Sequence, residues 1–122
     1  MEINTTSGNR YAKYSNFTVS NEATNYTLFV DFYYGSATDQ LHYHKGMAFS
    51  TKDRDNDKTK GSNCAVSYRG AWWYNGCINA HLNGNYGDSA YQWNWSYLKG
   101  SEMKLKPGKI SLINLPCFTD KR

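Results

Sequence analysis

The stretch Asn63-Cys-Ala-Val-Ser-Tyr-Arg-Gly-Ala-Trp-Trp-Tyr-Asn-Gly-Cys77 decides how this chain is read. Two cysteines enclose a Gly- and aromatic-rich run with no strong helical pattern, which suits a bridged loop. A loop of that size, once closed, contributes roughly 3 kcal/mol in the chain-entropy picture. The alternative is a chain with three buried free thiols, since Cys117 makes the cysteine count odd. On an extended backbone, adjacent Trp72 and Trp73 point to opposite sides. One ring is therefore expected to pack inward while the other lines a surface hollow. Aromatic walls with amides and hydroxyls nearby suit a small polar ligand that has an apolar patch, such as an acetylated sugar. The competing reading is that a Leu-poor domain spends both rings on its core.

Just upstream, Asp53-Arg-Asp55-Asn-Asp57 sets three carboxylates at alternate positions. Calcium takes about six to eight oxygen ligands, carboxylates and main-chain carbonyls among them. Alternating acids on a curling loop can converge their oxygens, and Thr59 and Gly61 are the natural carbonyl donors that follow. The pattern is not an EF-hand: counting from Asp53, Lys58 stands where Gly is required and Cys64 where Glu is required. The plainer alternative is a solvated hairpin loop, with Lys52, Arg54, Lys58 and Lys60 interleaved among the acids.

Around these two loops, the 122 residues suit one compact domain. With Tyr 11, Phe 5 and Trp 4, apolar content is carried by rings, and ten Gly point to much turn and loop. Disordered chains lack such rings. The formal net charge of +4 is spread along the chain and favours anionic partners only weakly, short of a nucleic-acid surface. No apolar stretch nears the length of about 20 residues that crosses a bilayer, so membrane insertion is not expected. The first residues carry no signal-peptide core. Four Asn-x-Ser/Thr sequons, at Asn4, Asn16, Asn25 and Asn94, argue for the secretory route and N-glycosylation.

Residues 1–10 are polar and expected to be a flexible N-terminal segment. Partial alternation predicts one strand through Phe17 and Val19, and a second through Tyr26, Leu28, Val30 and Phe32. Residues 35–40 suggest a turn. A weaker strand is expected over His42 to Phe49, a polar loop over 50–63, and loop with short turns over Ser67 to Asn85. Tyr91 to Trp95 reads as extended. Met103 and Leu105 mark a short strand closed by Pro107-Gly108, and Ile110 to Leu115 is either one more strand or an added tail. The resulting class is α+β: an irregular, loop-rich domain around a small antiparallel sheet with short helices. Enzymatic chemistry is not expected. His42 and His44 share a face of the expected strand but lack a third zinc ligand, and His81 has no nucleophile signature beside it.

The chain resembles the C-terminal half of a fibrinogen-related domain, the module of fibrinogen, ficolins, tachylectins, tenascins and angiopoietins. The resemblance is carried by Tyr14-Ser-Asn-Phe, Asn21-Glu-Ala-Thr-Asn-Tyr-Thr-Leu, His44-Lys-Gly-Met-Ala-Phe-Ser-Thr-Lys-Asp-Arg-Asp-Asn-Asp57, Asn63-Cys-Ala, Gly70-Ala-Trp-Trp-Tyr-Asn75, Leu82-Asn-Gly84 and Glu102-Met-Lys-Leu-Lys-Pro107. It covers residues 11–107, a partial fibrinogen C-terminal-like domain with a calcium loop and a disulfide loop. Residues 108–122 form a non-matching C-terminal tail, and roughly the first half of the family domain has no counterpart.

The resemblance implies a disulfide between Cys64 and Cys77 with a calcium ion beside it. The ion would be held by Asp55 and Asp57 and by the carbonyls of Thr59 and Gly61, or of Ser62 in place of Gly61, with Asp53 structural. It implies a cis peptide before the second cysteine, Gly76–Cys77. It also implies a ligand pocket shaped by Tyr68, Ala71, Trp72, Trp73, Cys77, Ile78 and Tyr91, with Ala90 as an alternative to Tyr91. Two departures touch that pocket: Ile78 stands where the family usually has His, and the segment Tyr86 to Trp95 is short. The expected function is a secreted, calcium-dependent, lectin-like recognition module for acetylated glycans, of the innate-immune kind. The alternative is a structural or adhesive extracellular domain that binds cell-surface or matrix proteins without sugar. Cys117 is left to link a second chain or to stay free.

Overall fold

The computed structural model describes residues 10–94, 96–98, 100–105 and 111–115. Along the chain these form β1 (Arg10–Val19), β2 (Leu28–Gly35), α1 (Cys64–Tyr68), β3 (Ala80–His81), β4 (Gln92–Trp93), β5 (Ser96–Tyr97), β6 (Glu102–Leu105) and β7 (Ser111–Leu115). The larger sheet is antiparallel throughout, in the order β2-β1-β7-β6, and a small second sheet has the order β3-β4-β5. This is an irregular α+β domain with one short α-helix among the described residues. Asn4 and Cys117 lie outside them.

Alternation gives β1 and β2 their inner face, but not in one register. Ala12 and Tyr14 face inward on the first part of β1, and Phe17 packs against the core on the second, opposite Val30. The change of parity falls where Phe32 takes a left-handed backbone (φ 60) and drops out of the ladder. Tyr26, expected within the second strand, lies instead in the turn before it, also left-handed (φ 56). That turn is started by Asn21, whose side chain accepts from the Ala23 amide at 3.1 Å.

Two further expectations are overturned. The stretch from His42 to Phe49 is not a strand: Leu41–His44 is a 3₁₀ turn, and Ser50, just beyond the stretch, makes an isolated bridge with Trp72. His42 and His44 therefore share no strand face, and His44 is buried while His42 is exposed. The expected loop over Ser67 to Asn85 begins inside α1 and contains β3. Asn63 starts that helix, its Oδ1 accepting from the amides of Ala65 (2.9 Å) and Val66 (3.3 Å). Of the stretch Ile110 to Leu115, Ser111–Leu115 takes the strand option, as β7, with Ile113 fully buried between β1 and β6, and Ile110 lies outside the described residues.

The core lies between the large sheet and the segments carrying Leu41, Trp72, Tyr74 and Trp93. Two of its large polar rings find partners: the Trp93 indole N–H donates to the Ala37 carbonyl at 2.7 Å, and the Tyr14 hydroxyl to Asp39 Oδ1 at 2.7 Å. Burial and the Asp39 carboxylate both push the Tyr14 phenol well above its ordinary pKa. On β2 the opposite face stays open, with Phe32 74% and Tyr34 69% exposed.

Gly35 ends β2 where a Cβ would lie 2.3 Å from the Tyr11 carbonyl oxygen, an atom that also accepts the Ser36 and Ala37 amides. Backbone cannot yield as a side chain does. Gly35→Ala is expected to lower stability by about 2 kcal/mol or more, read as a lower urea midpoint at unchanged m-value.

Candidate functional site

The acidic loop is a chain of side-chain-capped turns. Thr51 donates to Asp53 Oδ1 at 2.6 Å, and this bond holds the Asp53 carboxyl below its ordinary pKa. Asp55 Oδ1 accepts from the Asp57 amide at 3.1 Å. Asp57 goes further, with Oδ1 accepting from the Thr59 amide (2.8 Å) and Oδ2 from the Cys64 amide (2.9 Å). One carboxylate thus ties the loop to the first residue of α1 and to the cystine.

Cys64 and Cys77 form the disulfide, with Cα atoms 5.6 Å apart, and the Gly76–Cys77 peptide is cis. The Thr59 hydroxyl rests against both sulfurs, 3.4 Å from Cys64 and 3.6 Å from Cys77. Main-chain bonds from Lys58 N–H to the Asn75 carbonyl (3.0 Å) and from Asn75 N–H to the Cys77 carbonyl (2.9 Å) complete the join. Tyr43 holds the other side, its carbonyl accepting from Asn75 Nδ2 and its hydroxyl from the Gly76 amide.

Among the described residues no three His, Cys, Asp or Glu side chains converge as a metal cluster. A cation at this loop would rest on the Asp55 and Asp57 carboxylates with main-chain carbonyls, a donor chemistry that fits calcium and not zinc. Asp57 has each oxygen engaged by one N–H, which leaves a second lone pair on each. Asp55 is exposed, with one oxygen so engaged. Thr59 is half-buried, and Gly61, left-handed at φ 79, is exposed like Ser62.

Two buried histidines, which the sequence did not mark, fasten the aromatic segment. His44 Nε2 faces the amides of Asn79 (3.1 Å) and Ala80 (3.2 Å), both donors, so it must accept. Its proton sits on Nδ1 and is donated to the Trp73 carbonyl at 2.8 Å. His81 has the same tautomer: Nδ1–H donates to the Ala90 carbonyl (2.9 Å) and Nε2 accepts from the Tyr74 hydroxyl (2.8 Å). Gly70 and Gly84 make room for this ring, since a Cβ at either would come within 2.8 Å and 3.1 Å of its nitrogens. Burial lowers the His44 pKa from 6.5 to about 4, against a partial offset from the Trp73 carbonyl, and lowers that of His81. Beyond them, Arg69 grips Asp88 through two nitrogens at 2.6 and 2.7 Å, which holds the Asp88 carboxyl well below the usual range.

The Trp pair divides as its alternation requires. Trp72 is 1% exposed in the core, and half-buried Trp73 donates its indole N–H to the Tyr26 carbonyl at 2.8 Å. Both border a hollow of about 330 Å³ shared with Leu82, Asn83, Ser101 and Met103. The other residues of the expected pocket lie elsewhere. Tyr68 is half-buried with its ring near His81, the Ala71 carbonyl accepts from Asn83 Nδ2, and Cys77 is half-buried in the cystine. Ile78 is 4% exposed and belongs to the core, and Ala90 is buried as well. Tyr91, also buried, reaches the hollow only through its hydroxyl on Ser101 Oγ at 2.6 Å. Of the sequons, Asn16 is in β1, Asn25 ends the turn before β2, and Asn94 follows β4.

The model of the family described as fibrinogen beta and gamma chains, C-terminal globular domain, matches residues 1–115, so the chain belongs to that family. It is 45% identical over 106 residues to chicken (Gallus gallus) tenascin-R, covering 80% of this chain and 8% of the relative. It is 44% identical over 117 residues to human fibrinogen C domain-containing protein 1, covering 82% of this chain and 25% of the relative. The chain thus spans a small part of these relatives. Among solved structures, the fibrinogen-like globe domain of human ANGPTL2 is 25% identical with a TM-score of 0.62, over 88% of this chain and 57% of that one. Strand β7 falls inside the family match. Membership places the chain outside the cell as a structural or recognition module rather than an enzyme, and no described helix is long and apolar enough to cross a membrane.

Two outcomes follow from the hydrogen bonds. A histidine whose folded pKa is depressed contributes its full stability above the unfolded value, and loses it as pH falls toward the folded one. For His44 that window runs from 6.5 to about 4. Unfolding free energy should drop by about 3 kcal/mol across it, with His81 adding in the same direction, as urea titrations at several pH values would report. Separately, Asp57→Ala strands the Thr59 and Cys64 amides and should cost about 1–3 kcal/mol without added metal, measured by chemical unfolding in chelator.

Proposed function

We propose that the chain is an adhesive or structural extracellular module that acts through contacts with other proteins. The observation that carries this reading is Ile78, 4% exposed, at the position after the second cysteine where the family resemblance leads one to expect His. An aliphatic side chain turned into the core offers a sugar neither donor nor acceptor. The hollow beside Trp73 has mostly apolar walls. In the same proposal, calcium at Asp55 and Asp57 with carbonyls of the 59–62 turn is a brace. It neutralises two neighbouring carboxylates and stiffens the loop against the cystine, and it takes no part in chemistry.

Immobilised protein titrated with a panel of purified extracellular-matrix proteins, and with an N-acetylglucosamine–albumin conjugate, tests the reading. Saturable binding to a matrix protein with a blank sugar arm is expected. Saturable sugar binding with a blank protein panel would reverse the assignment toward a glycan-recognition module. For the brace, about 10 mM calcium should raise stability by about 1–3 kcal/mol if affinity lies in the weak extracellular range, and Asp55→Ala should abolish the gain. A thermal melt indifferent to calcium would remove the ion from the account.

A further inference from the structure

A hollow of about 220 Å³ joins the turn before β2 to the acid-rich loop. Asn25 and Tyr26 line it from the turn, Asp53, Arg54 and Asn56 from the loop, and Phe49 also borders it. Asn25 is at the same time the acceptor of the sequon Asn25-Tyr-Thr27. Its main chain is already bonded, the N–H donating to the Glu22 carbonyl at 3.0 Å and the carbonyl accepting from the Phe49 amide at 2.9 Å. Its half-buried side chain has no hydrogen-bond partner among the described residues, so a sugar on Nδ2 breaks no bond of the fold. The other described sequons are placed differently. Asn16 stands mid-strand in β1 opposite Asp31, and the sequon of Asn94 ends on Ser96, 6% exposed in β5.

We propose that Asn25 carries an N-linked glycan whose first N-acetylglucosamine folds back into this hollow and ties the turn to the acid-rich loop. In the linkage step Asn25 Nδ2 bonds to the sugar's C1 as the C1–O bond to a lipid-linked pyrophosphate breaks. The amide gives up one proton, and the lipid pyrophosphate leaves. A family member destined for the outside of the cell meets that donor on its way. The size of the hollow favours a tethered sugar over a free one. Its volume of about 220 Å³ falls below the range of about 300–1,000 Å³ typical of free small-molecule sites. A free ligand must also give up translational and rotational freedom, which a sugar bonded to Asn25 has already lost. The lining suits a sugar as well, since aromatic residues take its C–H faces and a few polar groups take its hydroxyls. Arg54 is exposed with no side-chain partner among the described residues, so its guanidinium can donate to sugar oxygens, while Asp53 and Asn56 supply acceptors.

The inference goes beyond the protein-binding reading and does not depend on it. The test uses the full chain secreted from animal cells that keep N-glycans in high-mannose form. Peptide mapping by mass spectrometry should find Asn25 occupied. Endoglycosidase H leaves one N-acetylglucosamine at each occupied site, whereas peptide-N-glycosidase F leaves none and converts the asparagine to Asp. The one-sugar form should melt at the same temperature as the intact glycoprotein, and the sugar-free form about 3 °C or more lower. Oxidised chain made in bacteria, which keeps Asn25 without sugar, should melt with the sugar-free form. In Asn25→Gln the gap between the two enzyme products should vanish. Both are measured within one variant, so any effect of Gln on the turn cancels. Arg54→Ala should narrow the gap, and it decides if Asn25→Gln fails to fold. An unoccupied Asn25, equal melts of the one-sugar and sugar-free forms, or a gap untouched by either substitution would overturn the proposal.

Discussion

A single neutral imidazole holds the centre of this structure. His44 offers one donor and one acceptor, and three backbone groups use them: the Trp73 carbonyl, and the amides of Asn79 and Ala80. Those groups lie on either side of Cys77, so the ring fixes how the chain leaves Trp73 and how it re-enters the core after Ile78. Only the neutral form with its proton on Nδ1 serves all three. Protonation would turn the acceptor into a donor facing two N–H groups inside a low-dielectric core, which is why burial disfavours the charged form so strongly.

The remaining contacts transmit that anchoring outward. Asp57 links the acid-rich turn to the amide of Cys64, Thr59 rests on both sulfurs, and Tyr43, next to His44, holds Asn75 and Gly76. The acid loop, the cystine and the Trp pair therefore behave as one assembly. A cation at the acids would tighten a shape that protein hydrogen bonds already define.

The larger strands were legible because one face is buried: Leu28 and Val30 alternate, as do Ala12 and Tyr14. The misreading of His42 to Phe49 has a physical source. Leu41 and His44, both buried, stand three residues apart, the period of a 3₁₀ turn, and two polar histidines concealed that repeat. Asn63 ahead of Cys64 was a readable helix start, overlooked because five residues carry too little periodicity to support it. Strands of two residues, as in β3 to β5, hold no pattern at all. At the site, the acid spacing, the cysteine pair and the opposed tryptophans were visible as residue types. The histidine anchors were not, since a lone His in sequence carries no mark of its burial, although Gly70 and Gly84, which clear space for His81, gave an indirect one.

A fibrinogen-type module with an apolar hollow beside Trp73 is thus organised around a buried proton position more than around its surface charges. Long-range ¹H–¹⁵N correlation spectra of the histidine rings test this most directly. The account predicts that His44 shows a protonated Nδ1 and an unprotonated Nε2, unchanged from about pH 8 down to about pH 5. Averaged tautomers, or a ring that titrates near the ordinary value of about 6.5 while the protein stays folded, would contradict it.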